Sequence, residues 1–97
     1  MLVALASFDL RVPMAGSLKE KRHVVKSLIA GLRGKFNVAV AEVGHHDLRQ
    51  RTQLAVSAVA GEGYQLKKVM VEVARFVERQ PGVELLEHRT TLHSQDD

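Results

Sequence analysis

Apolar residues in this chain change their spacing in a set order: period two, a helical period, period two twice, a helical period, and a closing apolar run. Residues 2–12 alternate, with Ala4, Ala6, Phe8, Leu10 and Val12 on one face and Val3, Leu5, Ser7, Asp9 and Arg11 on the other. Period two over that length predicts a strand, and Pro13 ends it. Ser17 then offers an N-cap, and Glu20 follows at the capping-box spacing. The helix it opens is predicted over residues 18–33. Leu18, Val25, Leu28, Ile29 and Leu32 share one arc, with Val24 at its margin. Gly34 suits the position just past the helix end. Gly31 costs about 1 kcal/mol relative to alanine, which predicts a frayed last turn.

Phe36 to Val43 reads as a second strand, with Phe36, Val38 and Val40 on one face and Asn37, Ala39 and Ala41 on the other. Residues 44–50 are a polar connection, and residues 51–60 form a third strand. In that strand Leu54, Val56 and Ala58 oppose Ala55, Ser57 and Val59. So short a link predicts an antiparallel pair. After Gly61-Glu62-Gly63, a second helix carries Leu66, Val69, Met70, Val73, Phe76 and Val77 at helical spacing, the strongest periodic signal in the chain. Pro81-Gly82 stops it. A fourth strand starts at Val83 and reaches His88 or a little further, with no inward face assignable from pattern.

The order is β-α-β-β-α-β. Right-handed crossovers place both helices on one face of a four-stranded antiparallel sheet. The expected fold is therefore α+β, ferredoxin-like, as a single domain over residues 1–93 with a flexible tail at 94–97. Phe8, Leu10, Val12, Phe36, Val38, Val40, Leu54 and Val56 form the expected sheet side of the core. Leu28, Leu32, Val69, Val73, Phe76 and Val77 form the helix side.

Charge is unevenly placed. Residues 17–35 hold six basic residues against Glu20 alone, while residues 60–97 hold seven acids and five bases. Lys19, Arg22, Lys26 and Arg33 fall on one narrow arc of the first helix, with Lys21 and Lys35 nearby. This row reads either as a phosphate-contacting surface or as a solvated face that aids solubility. The chain has no cysteine, which excludes disulfides and thiolate metal sites. No apolar run approaches a membrane span, and no signal-peptide pattern opens the chain. A cytoplasmic location is expected.

The pieces Ser17-Leu18-Lys19-Glu20-Lys21-Arg22, Phe36-Asn37-Val38-Ala39-Val40-Ala41-Glu42-Val43, and Asp47-Leu48 with Gln50-Arg51 closely resemble the YlxP-like family of small bacterial proteins. The resemblance implies a ferredoxin-like domain of unknown function. It also implies an association with the ribosome or its rRNA, because genes of some members lie beside those for ribosome-binding factor A and an initiation factor. Arg49 stands where relatives often carry an aromatic residue.

Other motifs read as structural. The third strand has no aromatic residue, against an RRM-like base-stacking mode. Gly31-Leu32-Arg33-Gly34 matches a KH-type string, but a strand follows it rather than a helix. His45, His46 and Asp47 with Glu42 are the one cluster of metal-ligand or acid-base character, without a third ligand at fixed spacing. Glu42 lies on the apolar side of its strand and needs a partner; Arg51 or a backbone N–H is expected. No catalytic residue, cofactor or metal is expected. On the sheet face away from the helices, Val3, Leu5, Ser7, Ala39, Ala41, Ala55, Ser57 and Val59 form a small-residue patch that suggests association, including a homodimer.

Overall fold

The computed structural model describes residues 1–95. Its elements are β1 (Leu2–Arg11), α1 (Leu18–Lys35), β2 (Ala39–Gly44), β3 (Arg51–Ala60), α2 (Gly63–Glu78) and β4 (Glu84–Ser94). The strands form one antiparallel sheet in the order β2-β3-β1-β4. This is the expected ferredoxin-like arrangement. The core joins one face of the sheet to both helices: Ala4, Ala6, Phe8 and Leu10 of β1 and Leu54 and Val56 of β3 are fully enclosed against Leu32, Val73 and Val77.

Local chemistry accounts for each helix boundary. The Ser17 hydroxyl accepts from Glu20 N–H at 3.1 Å, while the Glu20 carboxylate accepts from Gly16 N–H at 2.7 Å. One orphan donor of α1 is satisfied this way, and the Glu20 carboxylate also holds the amide just before the N-cap. The helix runs through Gly34 to Lys35, past the expected end, and Phe36 caps it with extended backbone and an N–H to Leu32 C=O. Gly34 is therefore helical, and Phe36 and Val38 precede β2 instead of lying in it, although both pack half-buried against the core.

Gly31 is no site of fraying. A Cβ there would lie 2.8 Å from Phe76 Cζ. The missing side chain lets α1 approach α2, where Phe76 meets Phe36 edge-on with centroids 6.0 Å apart. Leu66 and Met70 are buried in α2, while Val69 and Phe76 are only half covered.

Register resolves the face of β4. Leu85 pairs with Leu10, His88 with Phe8, Thr90 with Ala6 and Leu92 with Ala4. Partners across a ladder share a face, so these four lie on the helix side. Leu86 is the extra residue at the bulge. β4 extends to Ser94, well past His88, so Ser94 belongs to the sheet. Residues 96–97 of the expected tail lie outside the described residues.

Candidate functional site

The first helix presents its cations to solvent. Lys19, Arg22, Lys26, Arg33 and Lys35 are all exposed. Lys19, Arg22 and Lys26 make no ion pair or hydrogen bond among the described residues. Arg33 donates from Nη2 to Val40 C=O at 2.9 Å. Lys35 Nζ lies 5.6 Å from the ring centroids of both Phe36 and Phe76, within cation–π range. From Lys19 to Arg33 the row spans about 21 Å at helical rise.

Lys21 does not belong to that row. It is fully buried. Its ammonium donates to Glu42 Oε2 at 3.1 Å and to the carbonyls of His45 at 2.9 Å, His46 at 3.2 Å and Arg51 at 3.3 Å. The reason lies in helical geometry: Lys21 precedes Val25 by four positions and Leu28 by seven, which puts it on the apolar arc. A phosphate cannot reach it there. Its work is to tie the first turn of α1 to the β2–β3 connection.

Glu42 is correspondingly partnered by Lys21 and by the Thr52 hydroxyl at 2.6 Å, not by Arg51. Burial pushes the Glu42 carboxyl up, but the Thr52 hydrogen bond and the Lys21 ammonium, with a smaller contribution from His46, outweigh it and hold the group below its ordinary value. Arg51 turns instead to Asp9, with Nη2 at 2.9 and 2.7 Å from the two carboxylate oxygens.

The histidine connection is bent and polar. His45 adopts a positive φ of 61°, His46 meets Glu42 C=O at 3.2 Å, and His45 Nε2 is 3.8 Å from Asp9 Oδ1. Among the described residues no group of three or more His, Asp or Glu side chains is placed to hold a metal ion. Gln50 pins this connection to residues 13–15 by donating to the carbonyls of Pro13 at 3.2 Å and Ala15 at 3.4 Å.

The sheet face away from the helices carries the expected small-residue patch. Leu5 and Val59 are 47% and 65% exposed. Ala39 and Ala41 are exposed; Val3, Ser7, Ala55 and Ser57 are half-buried. Leu5 stands between two shallow hollows, one lined by Ala39, Ala41, Ala55 and Ser57, the other by Ser7, Ala55, Arg89 and Thr91. No helix among the described residues is long and apolar enough to cross a membrane.

Fold and surface together define a small ferredoxin-like α+β domain with a bare sheet face and a cationic helix. The chain belongs to the family described as protein of unknown function (DUF503), whose model matches residues 3–90. It is 35% identical over 89 residues to the uncharacterized protein YlxP of Bacillus subtilis (strain 168), an alignment covering 92% of this chain and 97% of that protein. The YlxP-like resemblance of the sequence motifs is thereby borne out.

Proposed function

We propose that the chain is a non-enzymatic RNA-associated factor that docks on the ribosome or its rRNA through α1. The observation that carries this reading is the exposed, unpaired state of Lys19, Arg22 and Lys26 on a helix whose neighbouring arc is locked into the core. Cations held in a row on a rigid element contact phosphates without the entropy cost of ordering a loop. Such contacts position a protein on RNA and read no base, which agrees with the lack of aromatics along the row. Lys21 supports the surface from beneath by fixing the helix, and Arg33 continues it at the far end; Lys35, two positions on, lies round the helix beside Phe36 and Phe76 and outside the row.

Replacing Lys19, Arg22 and Lys26 together by Glu tests the reading. The expected result is loss of co-sedimentation with ribosomes at low salt, with the melting transition retained because none of the three has an internal partner. Undiminished pelleting of the folded variant overturns it.

A second reading is a protein-contact module using the open sheet face. It draws on the uncharged centre of that face, where Leu5 and Val59 stand exposed. Binding that survives the triple substitution but fails in Leu5→Asp selects it.

A further inference from the structure

The two edges of the sheet are treated differently. β2 is six residues long, its register breaks between Glu42 and Gly44, and Arg33 occupies the Val40 carbonyl. These are ordinary devices for blunting an edge. β4 is 11 residues long and almost wholly exposed, with neither Lys nor Pro. Its one bulge lies at the Leu86 end. Along residues 87–93 no side chain bonds to its backbone among the described residues.

The ladder fixes which backbone groups are open. Gln95 N–H donates to Met1 C=O at 3.2 Å, and Leu2 pairs with Ser94. Alternation along an antiparallel pair then turns residues 87, 89, 91 and 93 toward β1 and leaves the N–H and C=O of His88, Thr90 and Leu92 facing outward.

We propose that two copies of the chain join along β4, antiparallel about a two-fold axis at Thr90, into one continuous eight-stranded sheet. In this register Thr90 pairs with its own copy, and His88 pairs with Leu92 in both directions. All the outward backbone groups of residues 87–93 are satisfied, and Glu87 meets the partner's His93. A register centred on Arg89 would set arginine against arginine, and one centred on His88 would run each strand into the partner's bulge at Leu86.

Helix α2 favours the same axis. A groove of ≈ 630 Å³ lies between α2 and β4, with Met70, Val71, Ala74 and Leu92 among its lining and Lys67 and Glu78 also on its wall. Val71 is 50% and Leu92 40% exposed there. Helix α2 runs antiparallel to β4, so Lys67 lies toward Leu92 and Glu78 toward His88. The two-fold sets Lys67 of one copy toward Glu78 of the other, twice, and turns the apolar middles of the two grooves toward each other. Neither Lys67 nor Glu78 has a partner within the chain among the described residues.

A second copy therefore fits the β4 edge better than the sheet face, whose patch offers area but no unsatisfied polar groups. The axis is perpendicular to the sheet, so both α1 helices emerge on the same side. If the RNA reading above holds, the pair presents two cationic rows to one surface and gains avidity. The self-pairing does not depend on that reading.

Sedimentation velocity across a concentration series, without RNA, tests it. Wild type forms a dimer. Thr90→Pro, which removes an outward N–H and no ladder bond, raises the dimer dissociation constant about tenfold or more. Lys67→Glu does likewise, and Lys67→Glu with Glu78→Lys restores wild-type pairing. The two residues are 11 positions apart on one helix, so only contact between copies explains the rescue. A monomer at concentrations up to about 1 mM, where even weak pairing registers, overturns the proposal. So does a dimer indifferent to these changes, including one abolished by Leu5→Asp.

Discussion

Lys21 shows how one position reverses its meaning between composition and geometry. By composition it is one more cation in a basic run. By geometry it is a buried ammonium with four acceptors. Breaking such a group leaves a partly buried carboxylate and three carbonyls short of a partner, so Lys21→Met is expected to cost about 3 kcal/mol or more. Lys19→Met, on the exposed arc, is expected to stay within about 0.5 kcal/mol. Urea unfolding of the two variants measures the contrast. Glu42 adds a pH dependence with a definite sign. Its folded-state pKa is lowered, so its contribution is full above the ordinary glutamate range and disappears as pH falls through the lowered value. The stability curves of wild type and Glu42→Gln should therefore separate at neutral pH and converge in acid. Lys21's burial was readable from its place on the apolar arc. Its acceptors were not, because three are backbone carbonyls, two in the β2–β3 connection and one at Arg51 where β3 begins, and sequence carries no signal for a backbone acceptor.

At the level of elements, order and type follow directly from periodicity, because each strand and helix has a face to bury. Boundaries follow less well. A glycine at position 34 is compatible with a helix end, yet α1 continues through it to Lys35, two residues past the expected end, and Phe36 follows as the cap, edge-on to Phe76. Gly31 is legible only in three dimensions: its role is set by a ring on another helix. Gly31→Ala should destabilise the fold by about 2 kcal/mol despite the helix-propensity gain of about 1 kcal/mol. Phe76→Leu in the same chain should recover part of the loss in a double-mutant cycle followed by thermal melting. The face of β4 was unreadable for a different reason. His88 and Thr90 are polar residues on the helix side, and His88 lies flat on Phe8 with centroids 4.7 Å apart. Alternation of polarity fails where an imidazole does the covering of an aromatic ring.

Across the whole molecule, the net charge of +3 is too small to direct a protein to RNA. The proposal depends on its distribution: cations exposed on α1, with the paired charges Asp9–Arg51 and Glu72–Arg75 elsewhere. The candidate surface was largely visible in the sequence as a helical arc, and the structure removes one member, Lys21, from it. The most direct measurement is the salt dependence of binding to rRNA, comparing wild type with Lys19→Gln, Arg22→Gln and Lys26→Gln. Each neutralisation should flatten the plot of log affinity against log salt by about 0.7–0.9, while Lys68→Gln on α2, outside both the α1 row and the groove, leaves the slope unchanged. Equal slopes for wild type and all three α1 variants would contradict the account.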